Sequence, residues 1–324
     1  MRKATIAWLV IATALVLIGC ILFGGVMFAL GWDFRKLSTV EYETNTYDVN
    51  EPFKSISLKT DTADIKFALS NDGKCKVECL EDENAKHSVT VEDGTLTVEL
   101  IDERSVSDYI KYIGINYGSS RITVYLPKGE YASLVIEEDT GDIEIPDDFN
   151  FRDVDISVST GNVVFGASAS KSVSIKTSTG DIAVENISVG SLALSVTTGR
   201  ITATSVNCED DLTVGVSTGK VYLTDIVCEN VISRGSTGDI TLNNVIAEEK
   251  LLIKRSTGDV KLDGCDAGEI SVETSTGDVV GSLLSDKVFN AETSTGRCDV
   301  PKTTTGGKCE ISTDTGDIKI VISP

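Results

Sequence analysis

Ten Thr-Gly steps, 19 or 20 residues apart, run through the chain from residue 140 to residue 316. They are Thr140-Gly141, Thr160-Gly161, Thr179-Gly180, Thr198-Gly199, Thr218-Gly219, Thr237-Gly238, Thr257-Gly258, Thr276-Gly277, Thr295-Gly296 and Thr315-Gly316. The usual continuation is Asp and then Ile or Val, as in Asp142-Ile143. A period held this tightly marks a repeat architecture, whose units bury their apolar faces only by stacking on one another.

With each glycine at position zero, residues at minus seven and minus five are mainly aliphatic, as in Leu212 and Val214 or Leu251 and Ile253. Those between them are mainly Ser, Lys, Arg, Glu and Asp. Alternation with period two is a strand with one buried face. After the glycine, positions plus two and plus four are again apolar, and plus seven adds Ile187, Val206, Ile226, Val245, Cys265 and Leu284. Two or three short strands per unit, without helical periodicity, predict an all-β fold. It is a parallel β-solenoid of about ten 19–20-residue coils. Stacked at the strand spacing of ~4.8 Å, the coils span roughly 50 Å. The invariant Thr predicts a β-branched ladder whose hydroxyls satisfy one another or the corner backbone. The glycine predicts a corner needing positive φ or close backbone approach.

Ahead of the repeats, Ala4 to Leu30 carry no charge, against the ~20 residues that cross a bilayer as a helix. Trp8 and Trp32 fall near its ends, where interfacial aromatics belong. Leu17-Ile18-Gly19-Cys20 has the look of a lipidation signal, but the residues after Cys20 stay apolar, so an uncleaved anchor is expected. Residues 1–32 are read as the anchor and 33–52 as a polar stalk. Residues 53–130 are read as a degenerate first coil with an irregular β cap, and 131–324 as the solenoid. In the degenerate coil Ile56, Leu58, Thr60 and Thr62 alternate, and Ala63 stands where glycine stands later. Glu92-Asp93-Gly94-Thr95 is a hairpin turn. For 102–120, with Tyr109, Tyr112 and Tyr117, two readings stand: a cap over the open stack, or a binding loop. The long acidic remainder is placed outside the membrane.

The Thr-Gly-Asp-Ile phrases resemble a bacterial family of β-strand-repeat envelope proteins described as "putative adhesins". So do Pro52-Phe53-Lys54-Ser55-Ile56, Pro301-Lys302-Thr303-Thr304-Thr305-Gly306-Gly307 and the final Thr315-Gly316-Asp317-Ile318. The likeness covers about residues 50–324. It implies a cell-envelope repeat domain, often behind a membrane anchor, and brings no catalytic residues.

With 50 acidic residues against 29 basic, the net charge of −21 argues against nucleic acid and anionic lipid as partners. It suits a self-repelling soluble surface, cation binding or basic partners. The single histidine, His87, is read as a polar residue flanking a strand. It rules out a His-rich metal cage, and with no CxxC pair a zinc site is not expected. Cys265, Cys298 and Cys309 fall at inward positions, and Cys75 and Cys79 share a strand face, which reads as core. Cys208 and Cys228 fall at plus nine in adjacent coils, within disulfide reach; buried free thiols are the favoured reading. Asp239, Asp259 and Asp278 are the one local run for Ca²⁺, although Arg200, Lys220 and Arg297 break a continuous acidic column. No cofactor and no catalytic residue is expected. The functional expectation is a non-catalytic, membrane-anchored envelope protein that binds a wall polymer or an envelope protein, adheres or senses. The alternatives are a scaffold self-associating through the last coil, whose Ile320 and Ile322 leave strand edges, and a polysaccharide-active enzyme.

Overall fold

The computed structural model describes residues 3–33, 42–102 and 120–323. One helix, α1 (Lys3–Ala29), precedes an all-β body. Tyr109, Tyr112 and Tyr117 lie outside the described residues.

The body is a parallel β-solenoid. Its first coil is β2 (Ser55–Thr62) and β3 (Asp64–Leu69), joined through Ala63. That coil lies in register on the first Thr-Gly coil, with Thr62 opposite Thr140 and Ile65 opposite Ile143. From there Thr160, Thr179, Thr198, Thr218, Thr237, Thr257 and Thr276 follow one another as direct cross-strand neighbours. The fifth Thr-Gly coil shows how a coil makes core. Leu212, Val214, Val216, Val221, Leu223, Ile226 and Cys228 all point inward, each at most 2% exposed. Burial of each such side chain is worth about 1.5–3 kcal/mol, gained only when a neighbouring coil covers it.

Two corners bend each central coil. The first is the Thr-Gly step. The second, six residues later, holds Asn186, Ser205, Asp225, Asn244 and Gly264 at φ between 52° and 61°. Asn, Asp and Gly are the residues that reach the left-handed region at least cost. Position minus three is a further inward column, holding Val158, Val196 and Val216 in some coils and Thr177 or Thr274 in others.

Antiparallel strands close the N-terminal end. They include β1 (Tyr42–Val49), β4 (Cys75–Asp82), β5 (Ala85–Glu92), β6 (Thr95–Asp102) and β7 (Arg121–Leu126). β6 lies parallel on β2 and β7 parallel on β3, so together they take the place of one more coil. β4 pairs with β1 and β7, and β5 pairs with β6 through the expected turn at Asp93-Gly94, both at positive φ. Residues 42–49 are therefore not stalk. Their alternation is disguised by polar residues, and Tyr47 and Val49 are the two that pack on the core.

The C-terminal end departs from chain order. Strands β8 to β17 fill residues 130–257, followed by β18 (Val260–Thr276) and β19 (Val279–Leu283). The ninth Thr-Gly coil is β20 (Lys287–Thr295) with β21 (Cys298–Asp299), and the tenth is β22 (Gly307–Thr315) with β23 (Ile318–Ile322). The tenth coil slots between the eighth and the ninth: Thr315 pairs with Thr276 on one side and Thr295 on the other. Composition explains the order. The tenth coil's inward Cys309, Ile311, Thr313, Ile318 and Ile320 are all buried, whereas the ninth offers Phe289, Ala291 and Val300, only partly buried. The more apolar coil takes the covered place. Among the described residues β20 pairs with β22 alone, so the main open edge belongs to the ninth coil and not to the last. Cys298, expected inward, is exposed for the same reason.

Candidate functional site

The Thr-Gly-Asp phrase proves to be a hydrogen-bonding device. Each corner glycine except Gly296, at the open end, donates its N–H to the threonine carbonyl of the coil stacked beyond it, as Gly238 does to Thr257 at 2.8 Å. The residue after the glycine accepts, through its side chain, the N–H of its counterpart in that coil. Asp142 accepts from Asn162, Asn162 from Asp181, and Asp181 from Arg200, at 2.8–2.9 Å. The column runs without such a bond at Arg200 and Lys220, whose side chains cannot accept.

Asp239, Asp259 and Asp278 belong to this column. Their Oδ1 atoms accept from the N–H groups of Asp259, Asp278 and Asp317 at 3.2, 2.9 and 2.7 Å. Asp239 also pairs with Lys220 at 3.0 Å, which with the Asp259 N–H holds its carboxyl below the ordinary range. A cation on this run has backbone donors and a lysine to displace. The threonines themselves stack as predicted and are exposed. The hydroxyls that bond corner carbonyls come instead from position minus three: Thr177 to Gly161 and Thr274 to Gly258 at 3.2–3.3 Å, Thr313 to Gly277 at 3.0 Å.

A shallow groove of about 490 Å³ crosses the first four Thr-Gly coils where each begins, well ahead of its corner glycine. Lys54, Asn150, Arg152, Ser170 and Glu209 rim it over the buried ring of Tyr131. That ring stacks on Phe53 at 6.1 Å and leans on Phe151 at 5.8 Å, which fixes the floor.

The cap holds the densest chemistry. His87, expected beside a strand, lies within β5 and is 4% exposed. The turn at Glu83-Asn84 brings it back against β4, where the alternation that buries Cys79 also buries Glu81. Glu81 Oε2 lies 2.7 Å from His87 Nδ1 and accepts the His87 backbone N–H at 2.7 Å, while Oε1 accepts from Asn45 at 2.8 Å. Burial alone raises the Glu81 carboxyl; the hydrogen bonds from His87 and Asn45 outweigh it and hold the group below its ordinary value. His87 Nε2 meets the Thr60 hydroxyl at 3.1 Å. Burial pushes the Cys79 thiol up to about 12. The signal was present in Cys79-x-Glu81 followed by a two-residue turn, but no standard metal spacing flags it.

Two further buried polar groups interrupt the inward columns. Glu138 accepts from the N–H groups of Ala63 and Thr140, each at 3.2 Å, and its other oxygen has no partner. Burial pushes its carboxyl up to about 8. Arg255 fills the space left by Gly235 and donates to Ser233 at 3.0 Å, with Nε and Nη1 unpartnered. All eight cysteines are free, and stacked Cys208 and Cys228 are buried thiols whose pKa burial raises to about 12.

The sequence profile of one family matches residues 53–210 and 207–324, nearly everything beyond the helix. The chain belongs to the Toastrack DUF4097 family. The seam between the two matches falls within an unbroken stack of coils, so the toastrack body is one continuous solenoid. Among solved structures, the chain is similar to a "putative adhesin" from Bacteroides fragilis at 15% identity and TM-score 0.44, covering 87% of this chain and 97% of that one. A "putative adhesin" from Parabacteroides distasonis aligns at 11% identity and TM-score 0.47, over 88% and 98%. A "putative lipid binding protein" from the same species aligns at 14% identity and TM-score 0.31, over 86% and 97%. No curated protein matches significantly.

Proposed function

We propose that this toastrack protein is a non-catalytic envelope protein, anchored by α1, whose solenoid stands outside the membrane as a binding rod. The observation that carries the reading is the union of two features in one chain. Residues Ala7–Ala29 form a helix of mean hydropathy 2.7 whose most apolar window is 0% buried, and a solenoid displaying polar outward faces follows it. An apolar helix of that length left uncovered needs a bilayer. The outward rows of Ser, Thr, Lys and Glu repeat at the coil spacing, a lattice matched to an extended polymer or to another repeat surface.

The partner class favoured is a neutral or basic envelope polymer lying across the Lys54–Arg152 groove, since a net charge of −21 repels anionic surfaces. Sedimentation of the full chain, in detergent, with isolated cell-wall polymer tests this. Binding that Ser170→Trp weakens, by filling the groove without changing its charge, supports it; no sedimentation of the unmodified chain rejects it. A second reading, self-association, is favoured by the open β20 edge with exposed Val288 beside half-buried Phe289. Light scattering decides it, a strict monomer counting against it.

A further inference from the structure

The geometry points to a transition-metal site in the cap: Cys79, Glu81 and His87 form a three-ligand cradle for one divalent ion of the Zn²⁺ class. One ligand atom from each residue lies within 4.8 Å of the other two, and all three residues are buried. Among the described residues this is the group of at least three such donors gathered so closely. A thiolate, an imidazole and a carboxylate make a mixed S, N, O set that suits a borderline-soft, tetrahedral ion and suits Ca²⁺ or Mg²⁺ poorly. Charge favours it as well. A thiolate and a carboxylate neutralise a divalent ion, so the occupied site buries no net charge.

The surroundings are those of a supported metal site. Asn45 donates to Glu81 Oε1 and fixes the carboxylate. Tyr47 lies 3.5 Å from the same oxygen. Thr60, on the first coil, meets His87 Nε2 and so leaves Nδ1 for the ion. Ligating histidines characteristically commit their second nitrogen in this way. Binding balances simply. The ion takes the Cys79 thiolate, whose proton goes to solvent, and takes the place of the proton between His87 Nδ1 and Glu81. That proton is kept by the ring at Nε2, where the Thr60 hydroxyl accepts it. Three protein ligands leave a fourth position for water. The site joins β4 and β5 of the cap to a residue of the first coil, so the ion would staple the terminal unit to the rod.

The test uses the full chain in detergent, reduced, stripped with chelator and refolded from denaturant with Co²⁺ or Zn²⁺. The expected result is one equivalent of Co²⁺ per chain, with a thiolate-to-cobalt charge-transfer band of one-thiolate intensity that Zn²⁺ abolishes. Zn²⁺ should also raise the melting midpoint of the unmodified chain. Cys79→Ser, Glu81→Gln and His87→Gln should each lose the band while keeping the parent's circular dichroism. Thr60→Val should weaken binding roughly ten-fold. Cys75→Ser and Cys265→Ser should retain it. A missing band in the unmodified chain overturns the assignment, as does a band of two-thiolate intensity, which would indicate a pair such as Cys208 and Cys228. Survival of the band in Cys79→Ser overturns it too. The intensity criterion needs no variant, so it decides even if substitutions in the cap impair folding.

Discussion

Adding one carbon at a corner glycine should damage this fold far more than adding it at a neighbouring bend. At Gly238, φ is 123°, and a Cβ would sit 1.9 Å from the Gly219 carbonyl oxygen and 2.6 Å from its carbon. Ordinary contact begins near 3.4 Å, so the sixth coil has to retreat from the fifth by about 1.5 Å. The corner bonds Gly219 N–H to Thr237 at 2.9 Å and Val221 N–H to Asp239 at 3.0 Å cannot survive that movement. Losing both costs about 2 kcal/mol, and forcing an L-residue to positive φ adds about 1–2 kcal/mol. With loosened packing, Gly238→Ala should cost at least about 4 kcal/mol, an exceptional value for one methyl group. At Gly264, φ is 61° and the nearest atom to a Cβ is Leu284 Cδ2 at 4.0 Å. Gly264→Ala should cost only the conformational term of about 1 kcal/mol, and Gly264→Asn less, since Asn186 and Asn244 hold this bend in sister coils. Urea and thermal unfolding of the detergent-solubilised chain measure the difference, with a drop of ~10 °C expected for Gly238→Ala. Equal, small losses at both positions would refute the corner mechanism. Ala63 is the natural control: the Asp64 N–H beside it bonds the Ser120 carbonyl at 2.9 Å, just ahead of cap strand β7, so among the described residues it stands over Ser120 rather than over a Thr-Gly corner.

Three more outcomes follow from the same geometry. Ile311→Asp should unfold the C-terminal coils, costing more than 3 kcal/mol, whereas Ala291→Asp should cost clearly less, because the tenth coil is covered on both sides and the ninth is not; limited proteolysis reads the contrast, and equal sensitivity would indicate stacking in chain order. Glu138 binds its proton more tightly folded than unfolded, so stability should be full below about pH 4.5 and fall as pH rises to about 8, by at most about 5 kcal/mol. Glu138→Gln should flatten that decline in denaturant midpoints taken across the range. Arg255→Met replaces a buried cation with two unpartnered nitrogens by an apolar chain and should stabilise the fold by about 1–4 kcal/mol, seen as a higher urea midpoint; a loss would mean that the Ser233 bond outweighs desolvation.

The coils were legible in the sequence because a corner that must be glycine, next to a threonine that must stack, leaves the same mark each time it recurs. The alternation at minus seven and minus five marks the inward face, and the same spacing marks Ala63 as a degenerate corner. Other parts left no periodic mark. The exchange of the ninth and tenth coils changes no register position, so only the weaker apolar character of Phe289, Ala291 and Cys298 hinted at it. β1 hid behind Asn45, Thr46 and Asp48. His87 and Glu81 looked like surface polar residues because nothing local says that β4 and β5 fold back over the end of the rod. The run of Asp residues suggested cations because sequence shows which carboxylates stack, but not that each accepts the next amide.

These differences share a cause. Inside the stack every coil faces a copy of itself, so inward residues need only be apolar, and Val, Leu, Ile or Cys serve equally at one position. Interchangeable residues cannot encode a specific partner. At the ends a coil has no copy to face, and the chain completes both core and backbone with paired polar groups that the aliphatic columns do not supply. The N-terminal end uses Glu81, His87 and Asn45, and the C-terminal end seats a buried Lys287 on Asp266 and Ser285. Substitutions in the inward columns should therefore alter only how stably the rod is held, while those that alter the binding proposed for it should map to the two ends, the outward rows and the Lys54–Arg152 groove.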